Sequence, residues 1–168
     1  MNVRQATTMT KATAIALMST MLAIVAFAIA GTNQTTGSNV GAQLPPKLRA
    51  LLIQEMRAID AASRQIHAAI VQGDHETVAR QAQAIHDSFI MEQQMTPDDE
   101  AALLAAVPKA FLASDEALHE LSAKLAEAGR ARDTTRQMQI FSEMTKGCVD
   151  CHSAYAPARF PGLDSGNP

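Results

Sequence analysis

The chain has 168 residues, a formal net charge of −3, 4% aromatic residues, no tryptophan and two cysteines. That length suits one domain with its own core plus a removable end. The mild acidity argues against nucleic acid or anionic lipid as a partner, and the shortage of rings argues for an Ala/Leu/Met-packed helical domain over a ligand-stacking surface.

Residues 1–30 read as an export signal. Arg4 and Lys11 supply positive charge, no acid occurs before Glu55, and an apolar run from Ala12 ends on Ala28-Ile29-Ala30, a small-x-small cleavage pattern. The run is about nineteen residues, nearly the length that spans a bilayer, so an uncleaved anchor is the competing reading. The placement of the small residues favours cleavage. Both readings deliver the domain outside the cytoplasmic membrane, and the periplasm is the expected compartment. Residues 31–44 are small and polar, a flexible linker without core material.

Four helical segments are expected over 45–156. Pro45-Pro46 opens the first, and Leu48, Leu52, Met56, Ile59, Ser63, Ile66 and Ile70 trace its inward stripe. Gly73 ends it and Asp74 caps the next, whose stripe is Val78, Ala82, Ile85 and Phe89, fading near Met95. Thr96-Pro97-Asp98-Asp99-Glu100 is a helix start with a capping residue, a proline in the first turn and three acids at the positive end of the dipole. Its stripe runs Leu103, Val107, Phe111, Ser114, Leu118, Leu121, Leu125, with a kink or break expected at Pro108. Gly129 closes that helix and Asp133-Thr134 begins the last, with Met138, Phe141, Thr145, Cys148, His152 and Tyr155 as its inward set. Residues 157–168 form an irregular tail. No run alternates with a period of two. The economical architecture is all-α, an antiparallel four-helix bundle.

Cys148-Val149-Asp150-Cys151-His152 carries the chemistry. Two cysteines three apart followed by histidine form the attachment pattern of a c-type haem. The two thiols can add across the haem vinyl groups as thioethers, and on a helix positions 148 and 151 share a face. The imidazole of His152 then serves as the proximal iron ligand. A thioredoxin-like dithiol uses the same cysteine spacing but expects a βαβ setting, and zinc expects more ligands. No phosphate loop, nucleophile elbow or paired metal motif competes, so an electron carrier is expected here and not an enzyme.

With its single C-x-x-C-H late on the fourth of four helices, the chain resembles the class II c-type cytochromes, the cytochromes c′ and their low-spin, methionine-ligated relatives. The resemblance is motif-specific at 148–152 and at Tyr155, three places after the histidine. It departs at Ala156, where many members carry a basic residue. The resemblance implies one covalent haem c, redox partner proteins in the periplasm or membrane, and either a monomer or a homodimer. It also implies a residue of the first helix facing the sixth iron position, for which Met56 is the candidate, with Ile53 and Leu52 as alternatives. A methionine there suits one-electron transfer, whereas an aliphatic residue leaves a five-coordinate iron open to NO or CO. Plain core filling is the competing role for Met56. Arg57 and Arg159, with Arg49, are candidates to neutralise the haem propionates. His119 carries a lower weight as an alternative ligand than Met56, and the other histidines less again.

Overall fold

In the computed structural model, residues 38–88 and 90–163 are described, all as helices and short links, with no strand among them. The expected signal segment lies outside the described residues. The helices are α1 (Val40–Gln43), α2 (Pro46–Gln72), α3 (His75–His86), α4 (Ile90–Gln94), α5 (Pro97–Ala106), α6 (Lys109–Arg130) and α7 (Thr134–Tyr155). A short 3₁₀ turn, Pro161–Leu163, follows. Among the described residues no helix is long and apolar enough to cross a membrane.

The helix ends form for local reasons that were largely visible beforehand. Gly73 takes φ +71°, the left-handed conformation that glycine adopts without a Cβ penalty, and its N–H turns back to Ala69 and Ile70. Asp74 then accepts from the Thr77 N–H at 3.0 Å and starts α3. Thr96 and Asp99 form a reciprocal capping box, and Lys47 of α2 pairs with the same Asp99 carboxylate. That company holds the Asp99 carboxyl down at about 2. Pro108 breaks the chain as expected, ending α5 at Ala106 and restarting it as α6 at Lys109.

Two apolar clusters make the core. Ile59, Ile66, Val78, Ile85, Leu125, Ile140 and Met144 form one, drawn from α2, α3, α6 and α7. Leu48, Leu51, Met91, Leu103, Val107 and Phe111 form the other, around the start of α2, α4, α5 and the start of α6. Helices α2 and α6 run from the second cluster to the first, whereas α7 runs back, leaving Tyr155 beside the second. α2 packs on α3, α3 on α6 and α6 on α7, while α7 touches α2 only lightly.

Several expectations need correction. Residues 38–44 are not a lead-in without core material: Val40 and Leu44, 1% and 2% exposed, belong to the second cluster. On α2 the buried line is Leu48, Leu51, Glu55, Ile59, Ala62, Ile66 and Ala69, one residue away from the expected one over its middle turns. On α7 it is Gln137, Ile140 and Met144, so Met138 (52% exposed) and Thr145 face outward. The same line continues through Cys148, Cys151 and Tyr155. Gly129 does stand at the end of α6, one residue before Arg130, and it is buried there.

Candidate functional site

Between the two apolar clusters the interior changes character. Glu55 stands on α2 between Leu51 and Ile59, His119 on α6 between Phe111 and Leu125, and the two cysteines on α7 between Met144 and Tyr155. Glu55 and His119 are 2% and 1% exposed. The Ile90 N–H donates to Glu55 Oε1 at 3.3 Å, with Ser88 Oγ 3.4 Å away. His119 Nε2 lies 3.7 Å from the same carboxylate oxygen and 4.0 Å from Asp115 Oδ2. Across α3 and α6, His86 Nδ1 donates to the His119 carbonyl at 3.1 Å and His119 Nδ1 to the His86 carbonyl at 3.3 Å. A carbonyl only accepts, so both rings carry their proton on Nδ1 in this arrangement. Burial is the largest cause raising the Asp115 carboxyl, with the Glu55 and Glu116 charges adding and His119 opposing.

Cys148 and Cys151 are half-buried and unbridged. Burial pushes both thiols up, Cys151 to about 11, with the Asp115 charge and then Cys148 as further causes. A disulfide-exchange pair needs the opposite, a thiol lowered toward neutrality. The dithiol reading therefore loses ground. Cys151 lines a cleft of about 300 Å³ between α6 and α7, with Ser114, Leu118, Leu121, Gly147 and Tyr155 around it. Tyr155 meets Phe111 edge-on, centroids 5.4 Å apart, and closes the cleft toward the second cluster.

His152 is half-buried, and burial lowers its pKa, which favours the neutral imidazole that can act as a ligand. Its ring stacks on Phe160, centroids 4.1 Å apart and planes 9° apart. Met56 is half-buried at the edge of the first cluster, together with Leu118, Leu121 and Phe141. Both leucines also line the cleft beside Cys151. Arg57 and Arg159 are both exposed. Arg49 is engaged elsewhere, its guanidinium donating to the carbonyls of Ala42 and Leu44 at 3.1 Å each.

The donor set can be tested against a covalent haem. Two free cysteines lie on one line of α7, the half-buried imidazole of His152 follows, and the apolar wall beside Cys151 comes from Leu118 and Leu121. Gly147, in mid-helix next to Cys148, would place a Cβ within 4 Å of nothing, so a flat group can approach the α7 backbone there. These residues fit the group. Among the described residues no set of three or more His, Cys, Asp or Glu converges as a cage for a bare metal ion. Sequence reading missed Glu55, the deepest carboxylate of the site. Its signal was positional: Glu55 sits at helical spacing between Leu51 and Ile59.

Comparison of the chain with protein-family models, with characterised proteins and with solved structures finds no match.

Proposed function

We propose that this chain is an exported monohaem c-type cytochrome that carries single electrons. In this reading α2, α3, α6 and α7 form an antiparallel four-helix bundle, with α4 and α5 in the connection between the second and third members. Cys148 and Cys151 hold the haem as thioethers and His152 binds the iron. The observation that carries the proposal is the level at which the motif stands. Both cysteines are half-buried on α7 at the level between the two apolar clusters, and Cys151 lines a cleft with a mainly apolar wall. Bound there, haem c supplies a one-electron couple between Fe(II) and Fe(III).

The chain's own residues supply the setting. Leu118 and Leu121 give the cleft an apolar wall, and Tyr155 stands at one end of it. Met56 is the candidate sixth ligand, and its half-buried place against the first cluster, which Leu118 and Leu121 also edge, supports that role. A thioether there raises the reduction potential and suits electron transfer. Residues 1–30 support delivery to the periplasm, where redox partner proteins would exchange electrons with the haem. The apolar wall of the cleft also favours a second reading, a five-coordinate haem that binds NO or CO, in which Met56 only packs.

Production of the whole chain alongside a periplasmic haem-attachment system tests this. One haem should stay with the protein after denaturation, and Cys148→Ala with Cys151→Ala should abolish it. A chain that never acquires covalent haem under those conditions sinks the proposal. A low-spin spectrum with a methionine-to-iron charge-transfer band, lost in Met56→Ala, supports electron transfer. A high-spin spectrum that responds to carbon monoxide supports the second reading.

A further inference from the structure

The residues after α7 do not trail away. A turn over 157–159 returns the Arg159 N–H to the Ala156 carbonyl at 2.9 Å and the Phe160 N–H to the same carbonyl at 3.1 Å. Pro161–Leu163 then winds into a 3₁₀ turn, tied to α7 by Ser153 Oγ, which donates to the Leu163 carbonyl at 3.1 Å. A second tie comes from the opposite end of the described chain, where the Ala158 N–H donates to Asn39 Oδ1 at 3.2 Å. Between those two ties the segment delivers Phe160 flat onto the His152 ring.

His152 lies in the last turn of α7, and its ring torsion is intrinsically broad and two-fold, so the helix alone does not set the plane of the imidazole. A parallel neighbour does. The contact uses the face of the ring, whereas the nitrogen lone pair that binds a metal lies in the plane of the ring and stays clear of it. An edge-on aromatic partner would instead have competed for that direction.

We propose that Phe160 is a positioning residue for His152, fixing the plane of the proximal imidazole from outside the helix that carries it. The inference rests on the haem reading above for its functional meaning. The orientation of an axial imidazole determines which iron orbitals it meets, so with haem bound the C-terminal segment would set the electronic symmetry of the site through His152. Residues 156–163 thereby belong to the site, although the motif ends at His152.

The test uses the full haem-loaded chain with Phe160→Ala, Phe160→Leu and Phe160→Tyr. Electron paramagnetic resonance of the ferric protein and the proton NMR shifts of the haem methyl groups report the imidazole plane. Both should change in the Ala and Leu variants and return to the wild-type pattern in Tyr, which keeps a flat ring. Leu retains apolar volume without a stacking face, so it carries the test if Ala fails to fold. In the haem-free chain, the His152 ring protons should show an upfield ring-current shift that is lost in Phe160→Leu. Haem-loaded variants identical to wild type in both spectra overturn the inference and leave the haem reading intact. A wild-type chain without covalent haem overturns both, even where the ring-current shift is seen.

Discussion

Glu55 is the residue on which sequence and structure part most sharply. Carboxylates are seldom fully buried, and Leu51, Leu52 and Ile53 are consecutive apolar residues, so the α2 stripe could be drawn through Leu52 and Met56 or through Leu51 and Glu55. Spacing alone does not separate the two. What decides is the break after α3, which aims the Ile90 N–H at Glu55 Oε1, a contact between residues 35 positions apart. Removing the acceptor strands a polar group in the interior. Glu55→Ala should therefore lower the stability of the protein by about 1–3 kcal/mol, read from a urea midpoint. Glu55→Gln keeps an acceptor oxygen and should be milder. Equal losses in the two variants would mean that the Ile90 contact contributes nothing. The motif residues were legible for the opposite reason, since two thiols and an imidazole at fixed spacing declare their chemistry without reference to the rest of the fold.

At the level of helices, starts and stops were plainly written. Pro46, Gly73, Asp74, Thr96, Pro97, Pro108 and Asp133 all act locally, and each stands at or next to the helix end expected of it. Faces were read less well, as the outward Met138 and Thr145 show, because the face a helix buries depends on its neighbours. Two helical glycines make the distinction measurable. A Cβ on Gly129 would stand 2.7 Å from the Ala79 nitrogen and 2.9 Å from its Cα, so α3 and α6 would have to separate. Gly129→Ala should destabilise by about 1–3 kcal/mol, an overpacking loss that outweighs the intrinsic helix preference of alanine. Gly147→Ala meets nothing within 4 Å. It should stabilise the haem-free chain by about 0.5–1 kcal/mol. Chemical denaturation of the two variants side by side checks the pair, and the same sign for both would contradict the packing described here.

Across the molecule, the second apolar cluster depends on a segment that composition had set aside. Val40 and Leu44 come from a stretch otherwise made of small and polar residues, and two apolar side chains in such a run carry no periodicity to recognise. A chain begun at Pro45 loses both, at a cost of about 3–6 kcal/mol if each buried side chain contributes its usual share. The thermal midpoint should fall, and limited proteolysis should first cut near α4 and α5, which pack on that cluster. An unchanged midpoint would show that α1 adds nothing to the core. The bond from Ala158 to Asn39 joins positions 119 apart and gives the molecule an order of events in time. A contact of that separation closes a long loop, so it is among the last to form as the chain folds. The segment that lays Phe160 on His152 is thus held in part by a contact that forms late, after the helices have packed.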